Sequence, residues 1–420
     1  MASIEDLTVR EALALILARV SVLPAEVVAL SDALGRVPAV PVVAQDDLPP
    51  FANSSMDGYA VRAADLMSAN SESPIRLRVI GDIAAGATPL VEVTAGTVAR
   101  IMTGAPLPHG ADAVVPVEDT DEPWRDANRP LPAYVSIGRS VKPGDYVRYP
   151  GEDIRAGETV ISSGNVLRPQ EIGVLAALGQ ERVTVVRRAR VGVLATGDEL
   201  VEVSAPLSPG KIRNSNSYAQ AAQVRALGGE PVELGIARDT TANVRDKLEM
   251  AVSLGVDLLV SSAGVSVGAY DVVKDVLDES GDVAFWRVRM RPGKPLAFGA
   301  YRGFPYLGLP GNPVSAMVSF ETFARPTILK MGGHRTLERP RVRAVFLEDT
   351  RSDGRESYLR AVVSREDGRY VARMTGNQGS HVMTSLTKAN ALVVVPEGVR
   401  EVAAGTELDA VMIDWPGSVF

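Results

Sequence analysis

From residue 190 to residue 310 the chain repeats one local pattern, a short apolar run followed by a helix-patterned segment. No other feature limits the fold as strongly. RVGVLAT (190–196) reads as a buried strand, SYAQAAQVRALGG (217–229) as a helix closed by glycine, and PVELGIA (231–237) as a second strand. NVRDKLEMAVSLG (243–255) is a second helix and DLLVSSAG (257–264) a third strand. A helix at DVVKDVLDESG (271–281) and strands around FWRVRM (285–290), PLAFGAY (295–301) and YLGLP (306–310) complete the series. Strands alternating with helices of this length predict a doubly wound α/β domain. Asn312 followed by Pro313 predicts the cap and first position of a further helix, which Pro326 should kink or end.

The flanking sequence has other periods. Thr8 and Glu11 form a T-x-x-E capping box before Ala12, Leu15, Ile16 and Val20 at helical spacing. Closely spaced prolines (38, 41, 49 and 50) then favour extended chain. From about 57 to 150, runs such as RLRVIG (76–81), TVARIM (97–102) and DAVVPV (112–117) lie between Gly/Pro turns, and the charge-dense 119–130 reads as a solvated loop. A helix should start near Pro169 and stop at Gly179. Beyond 337, RVRAVFL, YLRAVV, YVARM and ALVVVPE predict short strands. The expected fold is multidomain α/β plus β. It comprises a discontinuous linking domain (1–50 plus 149–187), a β-rich inserted domain (51–148), the doubly wound α/β domain (188–334), and a small β-barrel-like C-terminal domain (335–420).

With no cysteine and three histidines far apart in sequence, disulfides, thiolate nucleophiles, iron–sulfur clusters and Cys-ligated zinc are excluded. A metal, if used, should be a hard cation held by carboxylates, such as Mg²⁺. The 44 basic and 51 acidic residues give a net charge of −7, which argues against nucleic acid as a partner. No apolar run approaches the ~18 residues needed to span a bilayer, so no membrane partner and a cytoplasmic location are expected.

In an open α/β sheet, ligands bind beyond the carboxyl ends of the strands. TGDEL (196–200), Arg238–Asp239, SSAGVSVGAYD (261–271) and LPGNP (309–313) should all leave that edge. Ser262, Gly264, Ser266 and Gly268 are small enough to let backbone N–H groups approach an oxyanion. The alternative is a tight turn that needs glycine. Glu199, Asp239 and Asp271 reach the same rim, where they either hold a cation or cap helices. In WRVRMRPGKP, alternation puts Arg287, Arg289 and Arg291 on one strand face, and Pro292–Gly293 deliver Lys294 into a loop as the better anion ligand. Asp57 in FANSSMDGYAV and Thr103 in RIMTGAPLPHGADAVV lie at turns that physics alone would read as hairpin chemistry.

The ordered strings NSSMDGYAV, RIMTGAPLPHGADAVV, PGEDI, TGDEL, GVSVGAYD, MRPGKPLAFG, LPGNPVSA and QGSH lie between residues 53 and 381, and the resemblance they carry reaches over roughly residues 5–415. As a set they resemble the molybdopterin molybdenumtransferases, the MoeA-type enzymes related to the C-terminal domain of gephyrin. The resemblance implies the last step of molybdenum cofactor synthesis. Adenylylated molybdopterin is hydrolysed, molybdenum from molybdate enters its dithiolene, and AMP leaves, with Mg²⁺ or a similar cation. It implies a homodimer of four-domain subunits whose cleft is shared between subunits. Molybdopterin adenylyltransferase and molybdoenzymes would be further partners. The functional acidic positions fall on Asp57, Asp153, Glu199, Asp239 and Asp271, with Glu199, Asp239 and Asp271 as the metal set, and the functional threonine falls on Thr103. Asp57 or Asp239 could act as the base. Substrate contacts fall on Pro310, Gly311, Asn312, Pro313, Arg287, Arg291, Lys294, Arg360 and Ser380. Two departures stand out. Ala263 replaces a usual glycine, which requires a negative φ there, and Arg287 and Arg291 occupy positions often held by lysine. The alternatives are a molybdopterin adenylyltransferase, argued against by the extra domains, and a non-catalytic gephyrin-like scaffold, argued against by the lack of an appended domain and long linker.

Overall fold

In a computed structural model that describes residues 6–122, 130–263, 272–280 and 283–414, the chain forms two compact units. One contains Met1–Ala39, Ser163–Arg168 and Arg182–Phe420, and the other contains Val40–Ser162 and Pro169–Glu181. The segments expected to form a linking domain are therefore divided between the two.

The first unit is built on a seven-stranded sheet. Its elements, in chain order, are β1 (Asp6–Leu7), α1 (Val9–Ala18), β2 (Arg190–Thr196), α2 (Asn216–Ala226), β3 (Glu230–Ala237), α3 (Thr241–Ser253), β4 (Leu258–Ser262), α4 (Val272–Ser280), β5 (Val283–Val288), β6 (Pro295–Tyr301), β7 (Phe304–Leu309), α5 (Pro313–Ser319) and α6 (Arg325–Met331). The spatial order is β1-β5-β6-β7-β4-β2-β3, and every pairing is parallel except those of β6. The chain leaves β2 first to one side and then to the other, so a crevice opens where β2 meets β4. The expected strand at 190–196 and the one at 295–301 have those same bounds.

The N-terminal segment joins this sheet. The capping box forms as its sequence dictates, with Glu11 N donating to Thr8 Oγ1 at 3.1 Å and Thr8 N to Glu11 Oε2 at 2.9 Å. Val9, Ala12 and Ile16 are buried with Phe298, Phe320 and Ile328 in one apolar core. Burying a side chain the size of Ile16 stabilises by about 1.5–3 kcal/mol. Tyr358, Leu392 and Val394 of the C-terminal strands belong to that core too. Pro326 does not end its helix. The turns widen into a π-helix at Phe320–Ala324 just before it, which accommodates the proline's missing N–H and its ring.

At the C-terminal end, Arg341–Phe346, Glu356–Glu366, Arg369–Met374, Ala391–Val395 and Glu407–Met412 pair in a closed ring, a small β-barrel. Met290–Arg291 adds in parallel to Glu356–Ser357. The second unit carries a five-stranded sheet of Ala113–Pro116, Gly58–Val61, Thr97–Ile101, Ile75–Ile83 and Tyr134–Ile137, in that order. Its helix Pro169–Ala177 starts at the expected proline, and Gly179 beyond it has φ +70°. In the charge-dense loop, residues 123–129 lie outside the described residues.

Candidate functional site

The register of the central strands puts their carboxyl ends at one level, because Thr196 pairs with Ala237, Ala195 with Ser262, and Ser262 with Leu309. The antiparallel β6 starts at the same edge, so Lys294 just before it arrives there as well. Between these loops and the barrel lies a cleft of about 820 Å³. Glu199 lines it from the loop after β2, Ser262 and Ala263 from the end of β4, and Pro310, Gly311, Asn312 and Pro313 from the turn into α5. Arg291 and Lys294 form one wall, and Ser380 of the QGSH loop faces in from the barrel. That loop is tied to α5 by Val314 N, which donates to Ser380 O at 3.1 Å.

Two backbone features shape the floor. Ala263 has φ +71°, so the methyl occupies a left-handed position rather than the negative φ expected, at a cost of about 1–2 kcal/mol. Its own N–H stays on the sheet, donating to Leu309 O at 3.1 Å. Gly293, at φ +110°, admits no side chain, since a Cβ would collide with Ser319 Oγ.

The basic strand divides its three arginines. β5 ends at Val288, and Met290–Arg291 changes partner to the barrel, so the three do not share one strand face. Arg289 donates to Asp6 O at 2.6 Å and pairs with Glu397, tying the N-terminal strand to the barrel. Arg287 is exposed and outside the cleft lining, whereas Arg291 lines it. Arg360 is 1% exposed and does not line the cleft, because its guanidinium is turned to Ser385 Oγ at 3.1 Å and Gly379 O at 3.3 Å. Burial and the nearby Arg291 bring its pKa down to about 10.

Two further cations went unnoticed in the sequence. Arg213 and Arg355 both line the cleft, as do Asn214, Ser215 and Asn216. The polar run NSNS after β2 was the available signal, while nothing local marks Arg355 as a cleft residue. Asp353 holds Arg355 through both its oxygens, and that guanidinium depresses the carboxyl pKa to about 2. Lys294 has no ion pair among the described residues.

The carboxylates are placed differently. Asp239 does not line the cleft; its Oδ2 accepts from Asp198 N at 3.1 Å, and Asp239 N donates back to Asp198 Oδ1 at 3.3 Å. Asp271, Gly264, Ser266 and Gly268 lie outside the described residues. Among the described residues no three His, Asp or Glu side chains assemble into a metal-holding group, and Asp271, the third member of the expected set, lies outside them.

In the second unit, Gly58 pairs with Ile101, which sets Asp57 beside the turn at Thr103. Thr103 N and Oγ1 both donate to Asp57 Oδ1, at 2.7 and 2.8 Å. Gly58 is required at this point, because a Cβ there would collide with the Val115 carbonyl. Asp153 is exposed, in a turn whose amide donates to Leu48 O at 3.0 Å.

Comparison with known proteins agrees along the whole chain. Residues 7–179 match the MoeA N-terminal region (domain I and II), 192–330 a probable molybdopterin binding domain, and 343–413 the MoeA C-terminal region (domain IV). Molybdopterin molybdenumtransferase 2 of Mycobacterium tuberculosis is 42% identical over 388 residues, covering 91% of this chain and 93% of that protein. The molybdopterin molybdenumtransferase of Bacillus subtilis is 36% identical over 402 residues, covering 94% and 92%. The solved molybdopterin biosynthesis MoeA protein of Pyrococcus horikoshii OT3 superposes with a TM-score of 0.81 at 31% identity, covering 97% of this chain and 100% of that one. An α/β sheet with its cleft, a closed barrel beside it and a β-rich unit, matched over this length and at this identity, establish that the chain belongs to the MoeA family of molybdopterin molybdenumtransferases.

Proposed function

We propose that this protein inserts molybdenum from molybdate into adenylylated molybdopterin with release of AMP, and that the cleft holds both substrates. The observation that carries this reading is the convergence of Arg291, Lys294, Arg213 and Arg355 on one cleft at the strand-end edge of a protein whose net charge is −7. Both substrates are anions. An acidic protein that takes them up needs its positive charge gathered in one place.

In this reading Lys294 is a compact charge for a phosphate or molybdate oxygen, and Arg291 is a planar fork able to hold two oxygens at once. Charge that builds on phosphate oxygens as the phosphoanhydride opens is stabilised by cations already fixed in place. Arg360 acts at one remove, holding Gly379 and thereby the loop of Ser380. Of the two carboxylates considered as base, Asp239 is turned to Asp198 and does not line the cleft of its own unit, so the role goes to Asp57. Both donors fall on its Oδ1, which leaves Oδ2 to orient the attacking oxygen. The proposal also includes, as the family resemblance implies, a homodimer whose cleft is shared, with the partner copy supplying Asp57 and Thr103. It also includes a divalent cation such as Mg²⁺ beside the phosphate, although no step above depends on one, and a cytoplasmic location. No helix among the described residues is long and apolar enough to cross a membrane.

The test is to incubate purified protein with adenylylated molybdopterin, with and without molybdate, and with and without a chelator. Molybdate-dependent AMP release supports the assignment, and AMP release indifferent to molybdate sinks it. Loss of turnover on chelation, restored by Mg²⁺, supports the cation.

A further inference from the structure

Beside the cleft, α2 presents a stripe of polar side chains to α5. Asn216 Nδ2 donates to Gly311 O at 2.7 Å, and Gln223 Nε2 donates to Met317 O at 3.5 Å. Gln220 lies between them, four residues after the first and three before the second, so it shares their face of the helix. It is 0% exposed, and neither Nε2 nor Oε1 of its amide has a hydrogen-bond partner among the described residues. Ser217 Oγ, one turn earlier and 8% exposed, has none either, and Gln223 Oε1 has none.

A buried amide left unsatisfied on both ends costs about 1–3 kcal/mol for each missing partner. An apolar side chain of the same length would carry no such cost. In folded proteins, groups like these are met by ordered water, which bonds to donors and acceptors alike. The seam is bounded by cleft walls: Asn214, Ser215 and Asn216 lead into α2, while Gly311, Asn312 and Pro313 lead into α5.

We propose that the α2–α5 seam is a site for fixed water bound by the Gln220 amide, and that Gln220 is thereby a positioning residue for the cleft walls at 214–216 and 311–313. The water site stands on the geometry alone. The positioning role rests on the molybdenum-insertion reading.

A crystal structure of the wild-type protein with its waters resolved tests the site directly. Water within ~2.7–3.2 Å of Gln220 Nε2 or Oε1 supports the proposal; direct bonding of that amide to protein groups, with no water in the seam, overturns it. Gln220→Met keeps the length and removes the polar atoms. It should fold, bind AMP about tenfold more weakly by titration calorimetry, and raise KM about tenfold with kcat within about twofold. Gln220→Asn, which can reach a water through a shorter arm, should recover most of that loss. Wild-type AMP affinity and KM in Gln220→Met overturn the positioning role. If Gln220→Met does not fold, the Asn variant and the wild-type waters decide. If the wild-type protein shows no turnover, the functional reading fails, while the crystal structure still settles the water site.

Discussion

In the cleft of the α/β region Lys294 has no ion pair among the described residues while Arg355 is held by Asp353, whereas at the Asp57–Thr103 corner a carboxylate is held by two donors on one oxygen. The cleft draws on segments from Thr196 to His381, and its Arg291 comes only to 3.9 Å from Asp353. The corner draws on two turns 46 residues apart, joined by bonds of 2.7 and 2.8 Å. An open cationic surface suits an anion that arrives and departs. A carboxylate fixed on one side suits a group that must present its other oxygen in one direction. The contrast predicts that damage to the corner should appear in the chemical step, and damage to the cleft wall in binding as well.

The strongest test of that contrast is Asp57→Asn. It keeps an acceptor for Thr103 but removes the base, and kcat should fall by about 10²–10⁴-fold with the fold unchanged. A change confined to KM would move Asp57 into binding and erase the distinction. Lys294→Ala comes next, with kcat/KM down about 10²–10³-fold and AMP affinity reduced, an effect that raised salt should mimic in part. Thr103→Ala removes one of the two donors to Asp57 and should cost about tenfold in kcat. Ala263→Gly relieves the left-handed methyl and should raise unfolding stability by about 0.5–1 kcal/mol, since the relief exceeds the added freedom of the unfolded chain.

The smallest effect concerns pH. Arg355 lowers the Asp353 carboxyl from 3.8 to about 2, so the folded state binds that proton less readily than the unfolded state. The pair's contribution to stability is therefore complete above the ordinary value and is lost as pH falls through about 2. Thermal unfolding of wild type and Asp353→Asn should differ slightly at pH 5 and converge near pH 2. A difference that persists at low pH would show that Asp353 acts by something other than its charge.

Much of the fold was legible because it depends on local chemistry. The Thr8–Glu11 box, the strand at 190–196, and proline and glycine bracketing the helix at 169–177 are set by neighbours in sequence. The N-terminal helix was legible as a helix but not as part of the α/β core. Its place depends on β1 pairing with Val283–Val288, nearly three hundred residues away. The break in the basic strand was hidden for the same reason. Alternation gives a side chain's face only while the strand keeps its partner, and Met290–Arg291 changes partner to the barrel. The sign of φ at Ala263 is not a property of its neighbours in sequence that a motif shows: the residue sits at +71° where the chain leaves the sheet.

The sequence by itself determined the family, the alternating α/β region, the exclusion of thiol chemistry and the loops that carry the cleft, since motif and period are properties of neighbouring residues. Only the tertiary structure decided which cations those loops deliver. It put Arg355 and Arg213 in the cleft, buried Arg360 behind it, spent Arg289 on a tie, and turned Asp239 toward Asp198. A charge's role depends on what lies within a few ångströms of it, and in this chain those neighbours come from strands far apart in sequence.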